Sequence, residues 1–580
     1  MKESMTQQAY DLVITGGSLG GVAAALSAGA LGVSTCLLES TGWLGGQYSA
    51  QGVTKPDENQ YIETVGSTAS YRAFRHAVRV HYRNNYKLSA KGAGQPSLNP
   101  GGDYPGFAGE PLAIHQVLLQ QLQAAPSVHV RLNTSVTAVQ TSGDAVQSLT
   151  AVGSDGTATT FTAKYFLDAT DLGDLLPMAG VEFNLGAEGK DAWQEPEAPD
   201  AARPDWIQPI TMVVALERRP EGENHLIDKP AEYDKLKAEQ NYTIVDGYIT
   251  KMFVPGVDMW GYRRYIAAAN FNDPSFPCDL SMLNMGANDY QAATIPSGSP
   301  TQDAAIIERA RQASLAYVYW LQTEVPRDDG SGNGYPNLKL RPDQFNTPDG
   351  TSAQAYIRES RRIKATYTIV QQDLDKAFNP GPRAKNYPDS CGIGFYGGLD
   401  IHGLAGVGMP QRFIYIQPFE LPLRALIPVR VQNLLPACKN IGVSHITNGA
   451  YRLHPMEWNV GEVAGALAAF AMKNNQSPNA VSTNPSLVRA FQHELLAAGV
   501  PLFWWSDITY DNRDLFSAVH LLGVAGIMSG YDDMSYRPND PLTLVEQQAI
   551  EKSAGKTLDW PSGDMNRGQA ALWLVGQLGL

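Results

Sequence analysis

Residues 11–39, DLVITGGSLGGVAAALSAGALGVSTCLLE, decide the fold. Asp11–Thr15 is a short β-branched run, and Gly16-Gly17-Ser18-Leu19-Gly20-Gly21 is a glycine turn. Val22–Ala30 reads as an alanine-rich helix and Val33–Glu39 as a second strand, which makes a βαβ opening. A tight strand-to-helix turn lets backbone N–H groups approach a pyrophosphate, and the helix N-terminus favours its negative charge. Glu39 closes the second strand 18 residues after Gly21, where an acid holds ribose hydroxyls. In the G-x-G-x-x-G register the glycines are Gly16 and Gly21, and Ser18 takes the middle place. Ser18 either sets the backbone slightly back from the phosphate or adds a hydroxyl donor. Strand, turn, helix and acid together point to a dinucleotide, NAD or FAD, rather than to a plain βα turn.

Further along, Pro111–Ala124 reads as a helix, and Val128–Leu132 and Ser135–Val139 as short strands. Val146–Val152 and Thr159–Leu167 alternate as a meander, and Asp168-Ala169-Thr170-Asp171 ends a strand that returns to the sheet begun at residue 11. Residues 184–205 read as a loop, and Ile210–Glu217 and Tyr262–Ala268 as strands of a second sheet. Thr301–Glu324 reads as a long amphipathic helix with Thr301 as its N-cap. Residues 326–350 are turn-rich, Ser352–Phe378 reads as helical again, and 389–410 as glycine-rich backbone against a close neighbour. Residues 433–474 read as strand, loop and a helix from about Asn459 to Lys473, with a polar linker over 475–485. Residues 486–580 differ in texture and read as a separate module.

The whole chain has 580 residues, room for about two to four domains. Its net charge, 44 − 58 = −14, disfavours nucleic acid as a partner. Cys36, Cys278, Cys391 and Cys438 are scattered without a CxxC pair, so no zinc ribbon, dithiol or iron–sulfur site is expected, and no metal site. The start, MKESMTQQAYDLVITGG, lacks the charged-then-apolar pattern of a leader. No apolar run reaches the roughly 18–20 residues of a membrane span. The expectation is a soluble, cytoplasmic protein, with the cell envelope kept for the case that a leader has been removed.

Gly42–Val53 (GWLGGQYSAQGV), Asp168–Leu175 (DATDLGDL) and Asn440–Gly465 (NIGVSHITNGAYRLHPMEWNVGEVAG) occur in this order. Together they resemble the FAD-dependent oxidoreductase family, within the glutathione-reductase-like and fumarate-reductase-like flavoprotein clan. The resemblance runs over about 9–475 and includes 315–350 and YIRESRRI (356–363). It implies an α/β fold with a discontinuous Rossmann-like FAD-binding domain, 9–185 and 425–475. An α+β substrate or cap domain would be inserted over 186–424, with some return segments, and a small helical module would follow over 486–580. It implies Gly16, Gly17, Ser18, Gly20 and Gly21 around the pyrophosphate and Glu39 with Ser40 at the ribose. Gly45, Gly46 and Gln47 would pass the ribityl chain or flavin ring, Val136 would meet adenine, and Asp168, Ala169 and Thr170 would pass the cofactor at their strand end. Asn448, Gly449 and Tyr451 complete the FAD set, with Asn459 and Val460 at a helix N-terminus facing the flavin pyrimidine edge. A helix dipole there stabilises the negative charge of reduced flavin. Gly461 and Gly465 share a helix face and allow close packing.

For catalysis, His454 is the candidate acid or base, with Arg452 beside it. Arg361, with Arg362, is a candidate bidentate clamp for a carboxylate, which makes the small-molecule substrate anionic. The plainer readings are a structural histidine beside Pro455 and an exposed helix in which Arg358 and Arg362 flank Glu359. His402 in GGLDIHGLAG is a second candidate, and Tyr396 is either a pocket wall or packing. No second glycine-rich βαβ unit is present, so no NAD(P)H domain is expected. The expected function is FAD-dependent oxidation of a small organic substrate by hydride transfer to flavin N5, with electrons passed to oxygen or another acceptor. An amine or amino-acid oxidase is the alternative. A second is a cell-envelope binding protein with a vestigial flavoprotein body.

Residues 504–555 resemble an S-layer homology motif, on Gly526-Ile527, Gly530-Tyr531, Asp533 and Arg537-Pro538-Asn539. Residues 559–578 resemble the tail of a second copy. Such modules generally hold cell-wall polymers in threes, so one and a half copies read as a packing or homodimer element instead.

Overall fold

The computed structural model describes residues 6–103 and 106–580. The fold is α/β. Five parallel strands form the first sheet in the order Leu434–Pro436, Tyr165–Asp168, Leu12–Thr15, Thr35–Leu38, Val128–Arg131. The central strand, LVIT, is buried at every position, as a parallel sheet covered on both faces requires. The run Thr159–Leu167 is shared between two sheets. Ala158–Thr162 completes the antiparallel meander with Thr134–Ser142 and Ala145–Gly153, and Tyr165–Asp168 re-enters the parallel sheet.

The second sheet is antiparallel, ordered Arg264–Ile266, Leu280–Leu283, Val214–Arg218, Leu338–Leu340. Its apolar side packs with the helix Pro300–Thr323 into a core of its own. That helix is capped by Ser299, whose Oγ accepts from Gln302 N, not by Thr301. Pro300 takes the first turn, where a missing N–H costs nothing.

Ser352–Phe378 is not a helix. Thr351 bridges Val214, Tyr356 bridges Thr211, and Arg362–Ile363 pairs with Phe183–Asn184; the only helical turn is Gln371–Leu374. The charges that a helix would present to water are buried: Arg358 is 3% exposed, Glu359 1% and Arg362 0%. Arg362 pairs locally with Glu359, but the other partners are remote, with Arg358 on Asp289 at 2.8 Å, Glu359 on His445 at 2.9 Å and Arg362 on Glu188 at 2.9 Å. Tertiary pairing of this kind overrides local propensity.

Two helices pack together beside the parallel sheet. Leu19–Ala30 follows the glycine turn, and His454–Lys473 crosses it backbone to backbone. A Cβ on Gly461 would stand 1.9 Å from Gly20 O, and one on Gly465 2.3 Å from Ala24 O. The closing helix starts at His454, with Pro455 in its first turn, and a separate helix, His445–Tyr451, precedes it. Asn459 and Val460 therefore lie in the second turn, not at the N-terminus. The stretch 475–485 contains a short helix, Pro478–Thr483, capped by Ser477.

The C-terminal residues continue the main core. Phe491, Phe503, Trp505, Val519 and Leu574 belong to the same apolar cluster as Val22 and Val463. Trp504 is buried, and its Nε1 donates to Gly394 O at 2.9 Å and Phe419 O at 3.0 Å. Among the described residues no helix is long and apolar enough to cross a membrane.

Burial pushes three carboxyl groups, Glu110, Asp168 and Glu195, each up to about 7. Such a group holds its proton in the fold at a pH where the unfolded chain has lost it. Its contribution is therefore most favourable below the ordinary carboxyl range, declines as pH rises towards 7, and levels off above. Glu195 Oε1 accepts from Ser444 Oγ and Gln371 N, each at 2.7 Å, and a glutamine can accept both. Glu195→Gln should reduce the loss of stability between pH 5 and pH 8 by on the order of 2 kcal/mol, measured by urea unfolding.

Candidate active site

A cavity of about 480 Å³ opens at the C-terminal edge of the parallel sheet, where ligands of this fold class bind. Thr15, Gly16, Ser18, Glu39, Ser40, Gly46, Val136, Ala169 and Thr170, from the glycine turn and neighbouring strand ends, line it. Gly16 has φ +101°, and its Cβ would stand 2.3 Å from Ala169 O, so conformation and space both require glycine. Ser18 has φ −61° and caps the first helix, its Oγ accepting from Gly21 N at 3.2 Å. The middle place of the motif thus serves helix capping and has no need of glycine's freedom.

Glu39 accepts from Gly17 N at 2.6 Å and from Thr41 N and Oγ1 at 2.7 Å each. Burial raises its pKa, and these donors only partly offset that. Asp168 stands behind the cavity wall, accepting from Thr170 N at 3.0 Å, Thr170 Oγ1 at 2.7 Å and Leu175 N at 3.0 Å. Thr15 Oγ1 is buried at the cavity with no hydrogen-bond partner among the described residues. This lone hydroxyl, the helix N-terminus and the acid at the strand end fit the phosphate and ribose of FAD.

Other expected cofactor residues lie away from this cavity. Gln47 turns its amide to Arg452 O and Glu457, and a Cβ on Gly45 would meet Leu118 and Ser49 at 2.8 Å. Asn448 Oδ1 accepts from Gln208 at 3.4 Å, a Cβ on Gly449 would meet Asp400 N at 2.8 Å, and Tyr451 donates to Glu420 O. Asn459 packs against Gly392, and Val460 is in the core.

A buried ionic group ties the two crossing helices together. Lys439 Nζ pairs with Asp171 and lies 3.9 Å from Glu457 Oε2. Glu457 also accepts from Gly20 N at 3.3 Å, and Asp171 from Gln51 Nε2 at 2.7 Å. Cys438 lies with Asp171 and Glu457 at metal-ligand spacing, but the Lys439 ammonium already meets both carboxylates. No local pattern announces this group, because its members come from four distant stretches.

A second cavity, about 290 Å³, is lined by Val53, Tyr356, Tyr396, Asp400, His402 and Arg452, among others. One extended segment walls both cavities. Ala355 and Ile357 face the first, and Tyr356 and Arg358 face the second, the two-residue alternation of an extended chain. Arg452 pairs with Asp400 at 3.1 Å and donates to Tyr356 Oη at 2.9 Å. His402 lies between Asp289 at 2.6 Å and Asp400 at 3.1 Å. Burial and Arg358 oppose its charge, but the two carboxylates outweigh them and raise its pKa.

His454 is buried behind this cavity, with Nε2 donating to Val53 O at 3.1 Å. Burial pushes its pKa down to about 3, so the ring is neutral. Arg361 lies elsewhere, on Leu172 O at 2.8 Å and Asp174 at 3.2 Å, at the edge of the first cavity. The arginine of the YIRESRRI stretch that reaches the second cavity is Arg358, which alternation along a strand, not along a helix, would have singled out.

Residues 11–495 match the family model for FAD dependent oxidoreductases, and 518–544 match the S-layer homology domain. The chain belongs to the FAD dependent oxidoreductase family, and it is an enzyme that uses FAD. No curated protein matches it. Among solved structures it is similar to the myxobacterial chondrochloren halogenase, at 11% identity over 98% of this chain and 97% of that one, TM-score 0.37. It is also similar to the p-nitrophenol 4-monooxygenase of Pseudomonas putida, at 11% identity over 90% and 95%, TM-score 0.34. The similarity to the L-proline dehydrogenase of P. horikoshii is 16% identity over 33% of this chain and only 26% of that one, TM-score 0.17.

Proposed function

We propose that the protein oxidises a small organic substrate held in the second cavity, with FAD lying along the first. FAD, when bound, would supply two-electron acceptance, a hydride going to flavin N5 and a proton to a base, with the electrons passed on to oxygen or another acceptor. The observation that carries this reading is the shared wall, which sets a nucleotide cradle and a polar cavity one backbone apart. The glycine turn and Glu39 hold the nucleotide, and Val136 meets adenine. Arg452 and His402 face the substrate, and His402, clasped by two carboxylates, is the group to hold or move a proton. His454 acts as a neutral support for Val53, and Arg361 fixes Leu172 and Asp174. We keep the division into 9–185 with 425–475 for FAD and 186–424 for substrate, although Val53, Asp57 and Arg452 reach into the second cavity and Met212, Ile295, Ile307, 353–355 and Ile357 into the first. Burial of the C-terminal segment against the body supports a packing role for it over wall binding.

The test is the visible absorption spectrum of the purified protein, then anaerobic bleaching by candidate substrates. Flavin bands released by acid precipitation are expected, and His402→Asn should slow bleaching on the order of 100-fold with flavin content unchanged. Absence of flavin bands after added FAD would sink the proposal.

A further inference from the structure

The second cavity contains two charges that make no direct ion pair with the protein. Three arginines and three aspartates line it: Arg263, Arg358, Arg452, Asp57, Asp246 and Asp400. Arg358 is paired with Asp289 at 2.8 Å and Arg452 with Asp400 at 3.1 Å. Asp246 accepts from Gly286 N at 3.0 Å, holding a turn. Arg263 and Asp57 differ from these. Arg263 makes no hydrogen bond or ion pair with any described residue; its guanidinium lies 4.6 Å from the Tyr262 ring centroid, and its Nε is buried without a partner. Asp57 likewise makes no hydrogen bond or ion pair with a described residue.

A charge withdrawn from water costs free energy unless an opposite charge meets it. Two such charges, of opposite sign, face one cavity and attract each other across it without closing to an ion pair. Arg358 and Arg452 are answered by Asp289 and Asp400, His402 lies between the same two carboxylates, and Asp246 holds a backbone N–H; one cation and one anion remain, which a neutral ligand with separated charges matches. A planar guanidinium fork suits a carboxylate, and a carboxylate suits an ammonium. Tyr248, Tyr262, Tyr396 and Phe413 supply aromatic surface beside these groups, apt for an apolar side chain.

We propose that the second cavity recognises a small zwitterion, an α-amino acid, with its carboxylate on Arg263 and its ammonium on Asp57. This rests on the reading of that cavity as the substrate site. The inference concerns binding by this chain's own residues and holds whatever accepts the electrons.

The test uses the FAD-loaded full chain without oxygen. Alanine, leucine and phenylalanine are each titrated beside the matching deaminated acid and decarboxylated amine. Binding is read by thermal shift and by perturbation of the flavin spectrum. At least one amino acid should bind tenfold or more tightly than both of its singly charged relatives. In Arg263→Gln that amino acid should bind no better than its amine, and in Asp57→Asn no better than its acid, with flavin content unchanged in both. Should either variant lose its flavin, the wild-type comparison stands by itself. Equal binding of all three members of every set overturns the proposal, as does binding of none. Bleaching by alcohols or other uncharged compounds alone would overturn it too, yet leave the oxidoreductase reading intact. A chain that binds no FAD would instead remove that reading.

Discussion

Gly461→Val should strip the protein of FAD and lower its unfolding free energy by about 3 kcal/mol or more. A Cβ at this position would stand 1.9 Å from Gly20 O, a contact of backbone with backbone that no side-chain rotation relieves. Gly20 cannot retreat either, because its own Cβ position is 1.9 Å from Ala437 O and its N–H is held by Glu457. The first helix must move away, and its N-terminus is the part proposed to meet the pyrophosphate. Flavin absorbance per protein after desalting, together with a urea titration, reads both effects. Gly576→Ala is the control: it sits in a helix with nothing within 4 Å of its Cβ, and should be neutral or stabilising by up to about 1 kcal/mol. A Gly461→Val protein with full flavin and an unchanged midpoint would contradict the crossing described above.

Trp504→Ala should cost about 3–5 kcal/mol, the usual range for emptying a large aromatic site. The indole is buried, its ring centroid is 5.9 Å from that of Phe395 and 6.1 Å from that of Tyr61, and its N–H serves two carbonyls. Removal leaves a void and two unsatisfied acceptors. Trp504→Phe keeps most of the ring and loses the donor, so about 1–3 kcal/mol is expected. Leu544→Ala, at a residue 76% exposed on the same C-terminal segment, should change stability by less than about 0.5 kcal/mol. Urea unfolding ranks the three. Equal small losses would mean that residues 486–580 do not share the body's core.

The nucleotide half of the fold is legible in sequence because its signals are local. Strand, turn, helix and acid all fall within 11–39, and the periodicity of each shows without knowledge of the rest. Ser18 is instructive: the motif asks for glycine, whereas the structure uses a cap residue whose φ any amino acid can adopt. The second cavity is illegible for the opposite reason. Its cavity gathers Val53, Arg263, Arg358, His402 and Arg452 from separate stretches, and no spacing connects them. YIRESRRI reads as a charged helix because its charges recur at helical intervals. Arg362 does pair with Glu359, but the charges also reach Asp289, Glu188 and His445, and the chain stays extended to meet them. The start of the closing helix shows a smaller failure of the same kind. Proline in a first turn marked it, and a glycine-rich stretch further on drew the boundary too late.

The wall between the two cavities has a consequence for how the enzyme can diversify. Tyr356 and Arg358 stand on the opposite face of the same few peptide units as Ala355 and Ile357. A substitution that reshapes one pocket shifts the backbone that shapes the other. On the proposed assignment of the two cavities, substrate preference and cofactor retention are linked traits along this segment, and a lineage changing one must compensate in the other. Positions outside the wall, such as Tyr248 and Phe413, are where the second cavity can be reshaped without moving the first.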